Sequence, residues 1–249
     1  MTTVPPYCLG YPSERTQTTY YLGEPAPTNE EIRTVSHVLE ERSIHPENTR
    51  IRKSTVAENN FLEVLQASVG SDNNDQVEID VSNSSAKLKI VKGDHSDELA
   101  RICSNLRSAC KYTANDTQRS YISQLIESFE SGDLNRYRSS QEAWIRDKSP
   151  NVETIFGFIE PYRDPSGVRA EFEGIVAVKD MHESAKLSDL VEKSDIFIKR
   201  LPWAQIGSNE NDGKGPFEKE LFEPPDFTSI HGELALLKKK FLSSYGFKP

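Results

Sequence analysis

Between Val152 and Asp180 the chain reads VETIFGFIEPYRDPSGVRAEFEGIVAVKD, a stretch that leaves the backbone few options. Two runs rich in β-branched and aromatic residues, Val152 to Tyr162 and Val168 to Val178, flank Asp164-Pro165-Ser166-Gly167. Such side chains favour extended strands. Asp at the first turn position, Pro with its fixed φ at the second and Gly at the last suit a type I turn. The stretch is therefore predicted to be a β-hairpin. Side chains alternate along strands, so parity assigns faces. With the turn centred between Pro165 and Ser166, Glu160 lies opposite Glu171, Phe158 opposite Glu173 and Tyr162 opposite Arg169. One face then carries Phe156, Phe158, Glu160, Tyr162, Arg169, Glu171 and Glu173; the other carries Ile155, Gly157, Ile159, Phe172, Gly174, Val176 and Val178. A bulge would shift this register.

The second face is apolar and is predicted to pack on a core. The first brings three carboxylates, Glu160, Glu171 and Glu173, within cross-strand reach. Like charges directly opposite destabilise a hairpin by up to about 1 kcal/mol. Arg169, solvent or a cationic ligand would offset that. The pattern alone leaves two readings open: a solvated sheet face, or a site for a positively charged group.

The rest of the chain predicts strands first and helices after them. Residues 1–14, with Pro5, Pro6, Gly10 and Pro12, read as an irregular lead-in. Thr16–Leu22 is β-prone. Thr28 with Glu31 forms a capping box before an apolar stripe of Ile32, Val35, Val38 and Leu39, so a helix runs to about Glu41. Thr49–Val56, Phe61–Ser68, Gln76–Ser82 and Ala86–Lys92 read as strands, the last two linked through Asn83-Ser84-Ser85. Counted with the hairpin, six or seven antiparallel strands suit a small β-barrel or a curled sheet. Three helices follow from about Ser96 to Lys148, with Tyr137 and Trp144 as packing residues. Met181–Arg200 is predicted as one helix, residues 206–216 as a flexible insertion and Ile230–Pro249 as a short amphipathic helical tail. The fold class is α+β.

Composition narrows the partners. A net charge of −9 argues against nucleic acid and is compatible with cationic peptides. In a chain of 249 residues no apolar run approaches 18, so no membrane span is expected. Cys8, Cys103 and Cys110 show no metal or disulfide spacing and read as reduced thiols. The absence of a signal-like leader makes the cytoplasm the expected compartment.

Glu160-Pro161-Tyr162-Arg163-Asp164-Pro165 followed by Glu171-Phe172-Glu173-Gly174 resembles the signature hairpin of the dipeptidyl peptidase III family. Trp144-Ile145-Arg146-Asp147-Lys148, Leu201-Pro202-Trp203, Pro225-Asp226-Phe227-Thr228-Ser229 and Thr18-Thr19-Tyr20-Tyr21 resemble further family segments in the family's order. The resemblance covers about residues 10–229 and implies one lobe of a two-lobed zinc peptidase that removes dipeptides from peptide N-termini. It implies a β-barrel-containing lower lobe with helices over 15–180, the start of a crossover to the zinc lobe over 181–229 and a divergent tail over 230–249. It also implies that Glu160 binds the substrate ammonium and that Tyr162 donates its hydroxyl to the scissile carbonyl. Glu173 would line the cleft, with Glu171 and Arg169 in support.

The family's metal motif is H-E-L-L-G-H on a helix, with two His ligands on one face and a Glu that activates water. None of His37, His45, His95, His182 and His231 stands in such a motif, and His231-Gly232-Glu233-Leu234 has no second His. Zinc belongs to the full-length family, and none is expected on this chain. The chain is therefore expected to be a segment of the family's architecture, inactive alone, monomeric, and a binder of peptides with a free N-terminus. The alternatives are a non-catalytic peptide-binding or regulatory remnant and a truncated gene product.

Overall fold

The computed structural model describes residues 3–16, 18–56, 59–71, 74–81, 84–148, 150–193, 196–197, 200 and 230–233. Two compact units emerge. The described residues of the first lie in Met1–Asp147 and Phe156–Glu173, and those of the second in Lys148–Ile155 and Gly174–Ala235.

In the first unit, β1 (Tyr21–Leu22), β2 (Thr49–Val56), β3 (Asn59–Ala67), β4 (Asn74–Val81) and β5 (Ser84–Asp94) form one sheet in the order β1-β2-β3-β5-β4. β2 and β3 are an antiparallel hairpin, as are β4 and β5. The pairs β1–β2 and β3–β5 are parallel, so the sheet is mixed and not antiparallel throughout. The reason is the route of β4: it runs back at the outer edge, and β5 turns inward to fill the place beside β3. Among the described residues β1 and β4 are the two edges of this sheet, which is open and not a closed barrel. The 152–180 hairpin does not join it.

Alternation buries Ile51, Leu62, Val64, Leu88 and Ile90 beneath helix α1 (Asn29–Glu41), whose Ile32, Val35 and Leu39 complete the core with Tyr20 and Tyr21. α1 begins as its sequence predicts: Glu31 N donates to Thr28 Oγ1 at 3.2 Å and Thr28 N donates to Glu31 Oε2 at 2.7 Å. The other Glu31 oxygen accepts from Lys53 Nζ of β2 at 2.7 Å, both side chains being largely enclosed. Burial alone would raise the Glu31 carboxyl, but Lys53 and the Thr28 bonds hold it below the usual carboxylate range. A depressed folded pKa adds stability that is present above the unfolded value, about 4.3, and is lost as pH falls through the folded one. Glu31→Gln is therefore expected to cost about 2 kcal/mol at pH 7 and much less near pH 3. Urea melts of both proteins at the two pH values check this; an equal loss at both would refute it.

A second core joins α2 (Ser96–Ala109), α3 (Asp116–Ser131) and α4 (Leu134–Arg146) through Leu99, Cys103, Leu106, Tyr121, Ile122, Leu125, Ile126, Phe129 and Ala143. Asn115 caps α3 through Gln118 N, and Gly132 ends it in the left-handed conformation. Cys103 is buried there and its thiol is pushed up to about 11 by burial, which keeps it protonated.

The hairpin strands β6 (Val152–Phe158) and β7 (Phe172–Lys179) form a separate sheet of order β6-β7-β8, where β8 is Ile230–Glu233. β8 runs antiparallel to β7, with Lys179 opposite Ile230 and Val176 opposite Glu233. The tail thus opens as a strand and not as a helix, because the β7 edge offers it a row of unpaired backbone donors and acceptors. Helix α5 is Met181–Glu192, shorter than predicted: at Lys193 the backbone N–H turns to Asp189 O and Val191 O and closes the last turn. Leu201-Pro202-Trp203, the 206–216 insertion, Pro225–Ser229 and the tail after Glu233 lie outside the described residues. Among the described residues no helix is long and apolar enough to cross a membrane.

Candidate functional site

The turn forms as the sequence dictates. Gly167 N donates to Asp164 O at 2.9 Å, and Gly167 takes φ +69, which a side chain would resist. Asp164 does more than start the turn. It is only 2% exposed. Its Oδ1 accepts from Ser166 N at 3.0 Å, and its Oδ2 accepts from Val168 N at 2.9 Å and Arg169 N at 2.7 Å. A fourth bond arrives from far along the chain: the Tyr21 hydroxyl donates to Oδ1 at 2.6 Å. That hydroxyl has one proton, so the Ser166 hydroxyl donates to it at 2.6 Å, and Tyr11 reaches Ser166 Oγ at 3.4 Å. Residues 160–169 therefore form an arch tied at its crown to the start of the chain.

The two arginines of the arch exchange the roles that parity assigns. Arg169 is 0% exposed; its guanidinium lies 5.4 Å from the centre of the Tyr21 ring and donates to the Tyr21 hydroxyl at 3.4 Å. Arg163, not Arg169, meets the acids: its Nε and Nη2 bond the two oxygens of Glu171 at 2.7 and 2.6 Å. The bidentate pair raises the Arg163 pKa further and offsets one of the three facing carboxylates.

Two backbone irregularities explain the exchange. Ile159 N donates to Glu171 O while Glu171 N donates to Glu160 O, so Ile159 and Glu160 share one partner across the hairpin. An extra residue on one strand shifts every face beyond it. Gly157 adopts φ +148, where a Cβ would stand 2.5 Å from Tyr137 Cε2. Strict alternation fails at both points. Phe156 and Phe158, placed by parity beside the acids, instead pack on the helical core with Phe172. The Phe158 and Phe172 rings meet edge to face at 5.3 Å, and Phe172 lies 5.8 Å from Phe129.

Glu160 and Tyr162 remain in solvent at the arch, Tyr162 being 67% exposed. The Tyr162 phenol is raised above its ordinary pKa by the charge of Glu160 first, then by partial desolvation, Glu173 and Glu171. Glu160 is thus the phenol's dominant electrostatic neighbour. A protonated hydroxyl donor beside a solvent-facing carboxylate can hold an ammonium and a carbonyl oxygen at once. Of the residues singled out by sequence, Glu160, Tyr162, Glu171 and Glu173 share one electrostatic neighbourhood, and Arg169 lies in the interior. Sequence reasoning missed Asp164 and Tyr21 as the arch's anchors. Asp164 was legible as a turn former, but nothing local announced its distant phenol partner.

A model of Peptidase family M49 matches residues 1–234. The chain belongs to that family. Dipeptidyl peptidase 3 of Dictyostelium discoideum is 38% identical over 212 residues, 85% of this chain and 28% of that protein. Dipeptidyl peptidase 3 of Homo sapiens is 36% identical over 220 residues, 86% of this chain and again 28% of that protein. The chain thus spans a little over a quarter of these M49 relatives. The solved structure of DPP III from Caldithrix abyssi is similar over 77% of this chain and 31% of its own, with 23% identity and a TM-score of 0.48.

M49 peptidases imply a zinc ion, and the described residues do not fit one. They contain no group of three or more His, Cys, Asp or Glu side chains able to hold a metal. His37 sits beside Glu41, His95 beside Asp94 and His182 beside Glu183, and none of them belongs to such a group. His45 lies against Arg138.

Proposed function

We propose that this chain is the substrate-holding segment of a dipeptidyl peptidase III, a hydrolase that releases dipeptides from peptide N-termini. The carrying observation is that Glu160 and Tyr162 both stand exposed on an arch held from behind by Asp164. Glu160 accepts the N-terminal ammonium in charge-assisted hydrogen bonds, which are about twice as strong as neutral ones. Tyr162, kept protonated by its acidic neighbours, donates its hydroxyl to the scissile carbonyl oxygen, where negative charge develops. Glu173 lines the path of the peptide, and the Arg163–Glu171 pair stiffens the arch beneath it. In this reading the five-stranded sheet with its helices belongs to the lower lobe of a two-lobed enzyme. The sequence contains no H-E-L-L-G-H stretch, so the chain alone is expected to hold peptides without cutting them.

A calorimetric titration with an unblocked tetrapeptide tests this. Binding is expected for the free amine and not for its N-acetylated form. Glu160→Gln should weaken it by about tenfold or more, the equivalent of a charged hydrogen bond of about 1.5–3 kcal/mol. Failure of the unmutated chain to bind any unblocked peptide would end the reading. Hydrolysis of a dipeptidyl arylamide by the purified chain with one equivalent of zinc would end its non-cutting part.

A further inference from the structure

The strand leading to Glu160 is touched from α4 by a side chain whose polar end has no partner among the described residues. Tyr137 is half-buried against the helical core. Its phenol edge occupies the space that a side chain at residue 157 would fill: a Cβ on Gly157 would lie 2.5, 2.8 and 2.8 Å from Tyr137 Cε2, Cζ and Oη. Only glycine, with φ +148 and no Cβ, lets the phenol lie this close to the β6 backbone. Packing explains the ring. It does not explain the hydroxyl, which bonds no described residue although the side chain is only part-buried. Burial first, then Tyr121 and Glu173, push its pKa up to about 12, so it remains a donor at neutral pH. Glu173 therefore acts on two phenols, Tyr137 and Tyr162.

We infer that the Tyr137 hydroxyl is a further peptide-binding group, donating a hydrogen bond to a backbone carbonyl of the bound peptide beside Glu173. The inference rests on the peptide-holding reading above and adds a length preference to it. Gly157 precedes Glu160 by three residues, about 10 Å of extended chain. A peptide whose ammonium sits at Glu160 and which runs back along β6 brings its third residue to the phenol. A dipeptide ends before it. Tyr137 thus rewards peptides of three residues or more.

The test measures dissociation constants of an unblocked dipeptide and an unblocked tetrapeptide for the unmutated chain, Tyr137→Phe and Glu160→Gln. Tyr137→Phe keeps the ring against Gly157, so its melting temperature should stay within about 2 °C of the parent's, as for a substitution worth under 0.5 kcal/mol. It should weaken the tetrapeptide about five- to tenfold, the worth of one hydrogen bond, and leave the dipeptide within about twofold. Glu160→Gln should weaken both. An unchanged tetrapeptide affinity in Tyr137→Phe, with Glu160→Gln still impaired, overturns the Tyr137 role alone. Equal weakening of both peptides by Tyr137→Phe, or a clearly lower melting temperature, also overturns it, by making the hydroxyl structural. No binding of either peptide by the unmutated chain overturns both readings together.

Discussion

Asp164→Ala should destabilise the chain by about 4 kcal/mol and, with the arch lost, abolish the peptide binding proposed above. Four donors converge on this carboxylate: the Tyr21 hydroxyl and the N–H groups of Ser166, Val168 and Arg169. Removing it leaves buried donors without acceptors, each costing about 1–3 kcal/mol when water cannot replace the lost partner. It also leaves the fully buried Arg169 cation, which reaches Asp164 through the Tyr21 hydroxyl, without its nearby negative charge. Losing one member of a buried charged set costs about 3–5 kcal/mol. Asp164→Asn retains one acceptor oxygen and should fall between the two. Urea denaturation of the three proteins measures the order; a loss below about 1 kcal/mol in Asp164→Ala would show that the arch is not held in this way.

Gly157→Ala should cost about 2–6 kcal/mol, from two separable sources. Holding a non-glycine residue at φ +148 costs about 1–3 kcal/mol, and a methyl 2.5 Å from the Tyr137 ring forces a repacking worth about 1–3 kcal/mol more. A double-mutant cycle with Tyr137→Ala separates them. Without the ring the clash disappears and the backbone strain stays, so the double mutant should be more stable than the sum of the single losses predicts, by about 1–2 kcal/mol. Strict additivity would place the whole effect in the backbone.

Much of the fold was legible where one segment sets its own shape. The Thr28–Glu31 box, Asn115 and Gly132 at the ends of α3, and the Asp-Pro-Ser-Gly turn all lie where local chemistry puts them. Strand β2 spans its predicted residues because alternation and turns bound it. What local pattern does not carry is pairing between distant strands. The parallel β3–β5 pair and the strand β8 on β7 depend on which sheet edge is left open, and neither edge is written in its own residues. The Ile230 segment has helix-like periodicity, and an unpaired edge overrides that preference.

The site was half legible for a related reason. Parity grouped Glu160, Tyr162, Glu171 and Glu173, and the charges of those three acids do act on the Tyr162 phenol. Parity failed for Arg169, Phe156 and Phe158, since the shared pairing of Ile159 and Glu160 and the backbone of Gly157 each break the two-residue repeat. Arg163, which takes over the pairing with Glu171, precedes the turn by a single residue, where small shifts in the backbone redirect a side chain.

The bond between Tyr21 and Asp164 joins residues 143 positions apart. Closing so long a loop costs chain entropy that no local contact has to meet. Both cores are built without residues 160–169, whose arch depends on this bond. On the peptide-holding reading proposed above, capture of a peptide reports a closed arch and not collapse alone.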